Sequence, residues 1–136
     1  MRYLTPLLLL QAALSFATFV TLVARPAMIP ASFGVSIAAD AYPVCYFYAA
    51  SEFALAFLSL SALRIRDLKA LKVICANFSA FHAMSAALGA YAVWRGAPMA
   101  LLGNVAPHAT VAVFMAYYTV AKASAPSDRP AQRIAA

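Results

Sequence analysis

Three ionisable side chains lie inside long apolar stretches of this sequence, where they could do chemistry together. They are Glu52 in YFYAASEFALAFLSLSALRIR, His82 in FSAFHAMSAALGAY and His108 in LLGNVAPHATVAVFMAYY. A carboxylate can accept a proton or a hydrogen bond, and a neutral imidazole can carry a proton or ligate a metal or haem iron. Which of these roles the three side chains can take depends on the secondary-structure elements that position them.

The composition indicates that those elements lie in a membrane. Of 136 residues, 65% are hydrophobic and 10% are charged, and the mean hydropathy is +0.83, far from the balance of a soluble domain. One helical span needs about 20 apolar residues, so the chain has room for at most about four or five crossings in one domain. The net charge of +6 is spread over segment ends, which argues against nucleic-acid binding.

Four apolar segments are long enough to cross a bilayer as helices, at about residues 4–24, 44–63, 73–94 and 99–121. We therefore predict an all-α fold, an integral membrane antiparallel four-helix bundle with four transmembrane helices over residues 1–121. Residues 122–136, rich in polar residues and proline, are predicted to form a flexible cytoplasmic tail.

The connections carry helix-boundary signals. In the loop between the first two segments, Asp40 is predicted to cap the second helix and Pro43 to lie in its first turn. The second connection, RIRDLKALK, is short and basic, and the third, RGAP, is a tight turn whose Pro98 suits a helix start. Cys45 and Cys75 fall near opposite membrane faces, so we predict that they do not form a disulfide.

Charge predicts the orientation. Most lysines and arginines fall in the second connection and the tail, namely Arg64, Arg66, Lys69, Lys72, Lys122, Arg129 and Arg133. By the positive-inside rule both termini are cytoplasmic, and the alanine-rich, arginine-biased composition suggests a bacterial inner membrane. The first segment is predicted to be a retained span, because it is long for a signal-peptide core and Leu22 stands where cleavage needs a small residue.

Glu52 falls near the middle of its span, where a charged side chain costs at least about 2.5 to 3.5 kcal/mol. Either a proton or a partner on another helix must offset that cost. His82 lies at nearly the same depth on the next, antiparallel span, and helical spacing places each residue on a stripe of small or weakly polar residues. The stripes are Cys45, Tyr48, Glu52, Ala56 and Ser59 on one helix and Cys75, Ser79, His82, Ala86 and Gly89 on the other. We expect the two stripes to pack closely against each other.

The fourth segment adds His108 at a similar depth, with Asn104 one turn earlier on the same face. Pro107 lacks a backbone N–H and is predicted to kink this helix beside His108. The first segment contributes only the milder polar residues Gln11, Ser15 and Thr18 on one face.

Several interpretations of this polar layer stay open. Glu52 and His82 could hydrogen-bond as an interhelical fastener while His108 satisfies the kink. Alternatively, the layer is a ligand or proton site, formed by Glu52, His82, His108, Tyr48, Ser79 and Asn104. His82 and His108 could instead hold haem b. Both histidines and Glu52 have the ligand types for a metal, but no local spacing supports one, so no metal is predicted.

The sequence contains no Gly-rich phosphate loop, nucleophile elbow or CxxC, so no enzyme class is favoured. We predict a non-enzymatic accessory subunit or small-ligand binder of the inner membrane, with a buried Glu/His site at mid-bilayer. The alternatives are a haem-binding redox anchor and a small proton-coupled transporter active as an oligomer. Expected partners are the lipid bilayer and other membrane subunits or copies of the chain, with no nucleic acid; no cofactor is predicted outside the haem alternative.

Overall fold

The computed structural model describes residues 3–120, and this part of the chain is helical with no strand. Four of its helices are long and apolar enough to cross a membrane. The helices are α1 (Leu4–Ala24), α2 (Met28–Ser32), α3 (Tyr42–Ala62), α4 (Leu68–Trp94) and α5 (Leu102–Val120). The predicted all-α four-helix bundle is confirmed, and the chain is a multi-pass membrane protein; the predicted tail lies outside the described residues.

The four long helices form two hairpins of sequence neighbours. The closest helix pairs are α1 with α3, the first hairpin, and α4 with α5, the second hairpin. The close packing expected between the stripes of α3 and α4 is therefore wrong. The stripe of α3 does face the interior, since Glu52, Ala56 and Ser59 are buried, but α3 packs most closely against α1 instead.

A glycine explains the tightness of the second hairpin. A Cβ atom added to Gly89 of α4 would lie only 2.8 Å from Val105 Cγ2 on α5, so no other residue fits without movement. The turn between these helices uses Gly96 at φ 101°, a conformation that favours glycine. Helix α5 then begins after a 3₁₀ turn at Met99–Leu101 and continues through Pro107, whose predicted kink stays a prediction.

The helix boundaries correct two predictions. Asp40 does not cap α3: it lies in a 3₁₀ turn, Ala39–Ala41, and the N-cap position is Ala41, which makes no side-chain bond. Pro43 does lie in the first turn, as predicted. Helix α4 begins at Leu68 rather than near residue 73, because the Asp67 side chain accepts a hydrogen bond of 2.8 Å from the Lys69 N–H and caps it. The basic connection is correspondingly shorter.

The bundle has two unlike ends. We call the end that carries Arg64 and Arg66 the basic end, and the opposite end, which carries the short helix α2, the α2 end. All four long helices meet in one apolar cluster at the basic end. This basic-end core consists of Leu4, Leu8, Ala62, Leu71, Cys75, Phe78 and Met115. Large apolar side chains also cover the outer surface, where Phe47 is 76% and Phe57 66% exposed, as expected for a lipid-facing bundle. Cys45 and Cys75 are both free cysteines.

Candidate functional site

A cavity of about 370 Å³ lies between the two hairpins on the α2 side of the basic-end core. All four long helices and the α2 region contribute to its wall. Its polar lining residues are Gln11, Ser15, Thr18, Ser32, Tyr48, Glu52, His82, Asn104 and His108, and its apolar ones are Leu14, Ile29, Phe33, Pro107 and Val111. We call it the polar cavity, since most of the buried polar side chains of the described chain border it.

Glu52 supplies the polar cavity with a carboxylate. It lies on the buried stripe of α3 between Ala49 and Ala56 and is only 5% exposed. Tyr48, one turn earlier on α3, lines the cavity beside Glu52, and His108 lines it from α5. The cavity is lined by no lysine or arginine within the described residues. Glu52 thus faces neutral polar groups rather than a counter-ion.

The two histidines are hydrogen-bonded to each other. The Nδ1 atoms of His82 and His108 are 2.8 Å apart, and the ring centroids are 5.0 Å apart. One imidazole must donate and the other accept, because a neutral ring carries one N–H. The His82 Nε2 atom is buried and has no hydrogen-bond partner. A buried N–H without an acceptor is especially costly, so the favoured arrangement has His82 donating from Nδ1 and His108 carrying its proton on Nε2.

Phe81 helps to hold this pair. Its ring meets the His82 imidazole edge-on at a centroid distance of 5.2 Å and lies 6.4 Å from that of His108. His82 itself is 4% exposed and fixed by the close α4–α5 packing. The pair is therefore a rigid wall of the polar cavity rather than a mobile surface group.

Helices α1 and α2 close the polar cavity with residues that the sequence marked weakly or not at all. Gln11 Nε2 donates to Ser15 Oγ over 3.0 Å, and both side chains are buried. Ile29 and Phe33 from the α2 region border the cavity at the α2 end. The five-residue helix α2 is too short to show a helical periodicity, so no sequence pattern could have placed Ile29 and Phe33 at the cavity.

The structure brings together five of the six predicted site residues and not the sixth. Tyr48, Glu52, His82, Asn104 and His108 line the polar cavity. Ser79 does not line it. Its hydroxyl donates to the Ala112 carbonyl over 2.9 Å and fastens α4 to α5.

The hydrogen bond considered between Glu52 and His82 is wrong. His82 uses Nδ1 for His108, and its Nε2 has no partner. The physical reason is the pairing of the helices: α4 packs against α5, so the nearest acceptor for His82 comes from α5 rather than from α3.

The positions of these side chains also indicate whether they could hold a metal ion or haem. Within residues 3–120, no group of three or more His, Cys, Asp or Glu side chains is placed to hold a metal ion. His82 and His108 are the residues that would hold haem iron, and their Nδ1 atoms are hydrogen-bonded to each other. Haem binding would therefore require this pair to separate.

The fold and cavity define a broad class, the multi-pass α-helical membrane proteins with a polar site inside the bundle. No family model, curated protein or solved structure matches this chain. The functional argument therefore depends on the geometry of the polar cavity.

Proposed function

We propose that this protein binds a small molecule in the polar cavity and belongs to the bacterial inner membrane, with both termini cytoplasmic. The observation that supports binding most directly is the convergence of Glu52, Asn104 and His108 on a space of about 370 Å³ inside an otherwise apolar bundle. Ligand sites in helical membrane proteins combine a concave apolar wall with a few convergent polar groups.

The Glu52 side chain does not behave as a packing fastener. Ser79 shows what a fastener does here, because its bond to Ala112 crosses directly from one helix to its closest neighbour. Glu52 instead borders open space, although a charged side chain at mid-bilayer costs at least about 2.5 to 3.5 kcal/mol. Small residues such as Ala49 and Ala56 on the same stripe provide packing without that cost. Retaining a carboxylate at this position supports a binding role.

The proposed orientation is supported by the exposed arginines of the basic end, Arg64 and Arg66, and by Lys69 in the first turn of α4. Retention of α1 is supported by its buried Gln11 and Ser15, which border the polar cavity. A fluorescent protein fused to the C-terminus and expressed in bacteria is expected to fluoresce, which requires a cytoplasmic location.

The binding proposal is tested by identifying what co-purifies with the protein. The wild type and two variants are reconstituted in lipid nanodiscs and analysed by native mass spectrometry. Thr18→Phe fills the cavity from α1, whereas Ala17→Phe places the same ring on the exposed side of the same helix. We expect a bound small molecule in the wild type and Ala17→Phe, and its loss in Thr18→Phe. The absence of any bound molecule, or equal occupancy in all three proteins, contradicts the proposal.

A proton-coupled transporter is the second candidate, favoured by the carboxylate and hydrogen-bonded imidazoles at one depth. Proteoliposomes with a trapped pH dye test it. Acidification of the vesicle interior when a candidate ligand is added supports transport. If the ligand binds but the internal pH does not change, the protein binds the ligand without transporting it. The haem alternative predicts a Soret band after haem-replete expression, and a protein purified without that band has no such role.

A further inference from the structure

The polar cavity offers a ligand one carboxyl group. Within the described residues, Glu52 is the cavity's one lining side chain of the Asp, Glu, Lys and Arg types. His82 and His108 are engaged with each other, and Tyr48 and Asn104 add neutral polar groups. A carboxyl group in an apolar bundle, with no lysine or arginine among the described lining residues, favours a positively charged occupant.

The polar cavity opens sideways towards the lipid. Leu14 of α1 lines it and is 58% exposed, and Pro107 of α5 lines it from the opposite side and is also exposed. Both residues lie well inside membrane-spanning helices. A molecule that passes between them therefore comes from the bilayer rather than from water.

An apolar groove continues along the same seam between α1 and α5 towards the basic end. It has a volume of about 580 Å³ and is lined by Leu7 and Leu10 from α1 and by Val113 and Phe114 from α5, among others. Leu10 lies one helical turn from Leu14 of the polar cavity. The seam thus offers a polar site with one carboxyl group next to an elongated apolar surface.

We propose that the ligand is a lipophilic organic cation, a protonated amine with a single hydrocarbon tail, which enters from the bilayer between α1 and α5. Its ammonium group binds at Glu52, beside Tyr48 and Asn104, and its tail lies in the apolar groove. This inference rests on the proposed function and deepens it by naming the class of ligand.

Three probes with the same tail test the charge: octylammonium, octanol and octanoate. Each is titrated into nanodiscs of zwitterionic lipid that contain the protein, and its binding is read from the ¹⁵N side-chain resonances of His82 and His108. We expect saturable shifts with octylammonium and none with the other two. Glu52→Gln is expected to weaken octylammonium binding at least about tenfold, while Ala17→Phe leaves it unchanged.

The tail is tested with butylammonium and with Val113→Trp, which fills the groove from α5. This variant is expected to weaken octylammonium about tenfold and to leave butylammonium unaffected; an equal effect on both amines overturns the tail's placement.

Two other kinds of result would contradict the inference. If octanol or octanoate binds as well as octylammonium, the cationic class is wrong although the cavity still binds small molecules. If octylammonium binds Glu52→Gln and Thr18→Phe as it does the wild type, or binds none of the proteins, the inference is overturned. The proposed function is judged separately, by the molecule that co-purifies.

Discussion

The bundle is packed differently at the basic end and around the polar cavity. At the basic end, apolar side chains from all four long helices meet in one continuous core in which Phe78 and Met115 are almost completely buried. Between that core and the α2 end, the hairpins enclose the polar cavity, which is bordered by the buried polar side chains Gln11, Ser15, Glu52 and His82. The contrast shows that one well-packed end can hold the hairpins together and leave the other free for a polar site.

The largest effect is expected from opening the basic-end core. Phe78→Ala removes a ring that is 1% exposed and leaves a void between the hairpins, at a cost of about 3–5 kcal/mol in unfolding free energy. Phe57→Ala is the matched control, because its ring is 66% exposed and faces lipid. Denaturant unfolding in detergent micelles measures both. Equal losses would mean that the basic end is not the main support of the fold.

A smaller effect is expected where the second hairpin is tightest. Gly89→Ala places a Cβ 2.8 Å from Val105 Cγ2, so we expect a loss of about 1–3 kcal/mol. Val105→Ala in the same chain removes the clash and should restore most of the loss, as measured by the same unfolding assay. If the double variant is no more stable than Gly89→Ala, the close approach of α4 and α5 near the α2 end is not what the glycine provides.

Changing the polar cavity is expected to affect stability least. Glu52→Gln should alter the unfolding free energy by less than about 1 kcal/mol, because the side chain borders the cavity and the amide keeps its size and its capacity to hydrogen-bond. Glu52→Leu removes that capacity and is expected to be tolerated less well. Equal stability of the two variants would show that hydrogen bonding by this side chain contributes nothing to the fold.

The histidine pair gives a prediction that involves no loss of stability. In ¹⁵N spectra of the wild type at neutral pH, His82 should carry its proton on Nδ1 and His108 on Nε2, because the His82 Nε2 atom is buried without a partner. His108→Gln serves as the assignment control. The reverse tautomers would mean that a group absent from the described chain reaches the His82 Nε2 atom.

The sequence predicted the bundle well because membrane spans depend on length and hydropathy, which are local properties. It placed Glu52 and His82 on buried stripes because helical spacing is local as well. Which helices pack against each other is not a local property of the sequence. Whether α4 packs on α3 or α5 depends on small contacts such as Gly89 against Val105, and this choice decided that His82 bonds to His108 rather than to Glu52.

The residues of the candidate site also fall into two groups: those that local spacing predicts and those whose place depends on how the helices pack. Tyr48 and Asn104 were predicted from their spacing to Glu52 and His108, one helical turn in each case. Ser79 has equally good spacing to His82, yet it points to the Ala112 carbonyl, because the neighbouring helix offers an acceptor there. Ile29 and Phe33 carry no periodic signal, because α2 is only five residues long, and only the folded chain brings them to the cavity.

The pairing of sequence neighbours has a consequence for assembly during synthesis. Helices α1 and α3 can dock as soon as α3 has left the ribosome, before α4 has emerged from it, and α4 with α5 can repeat this step independently. Each step joins segments that are close along the chain and buries small residues such as Ala49 or the neighbourhood of Gly89. Only afterwards do the halves meet, and Phe78 then locks them at one face of the membrane.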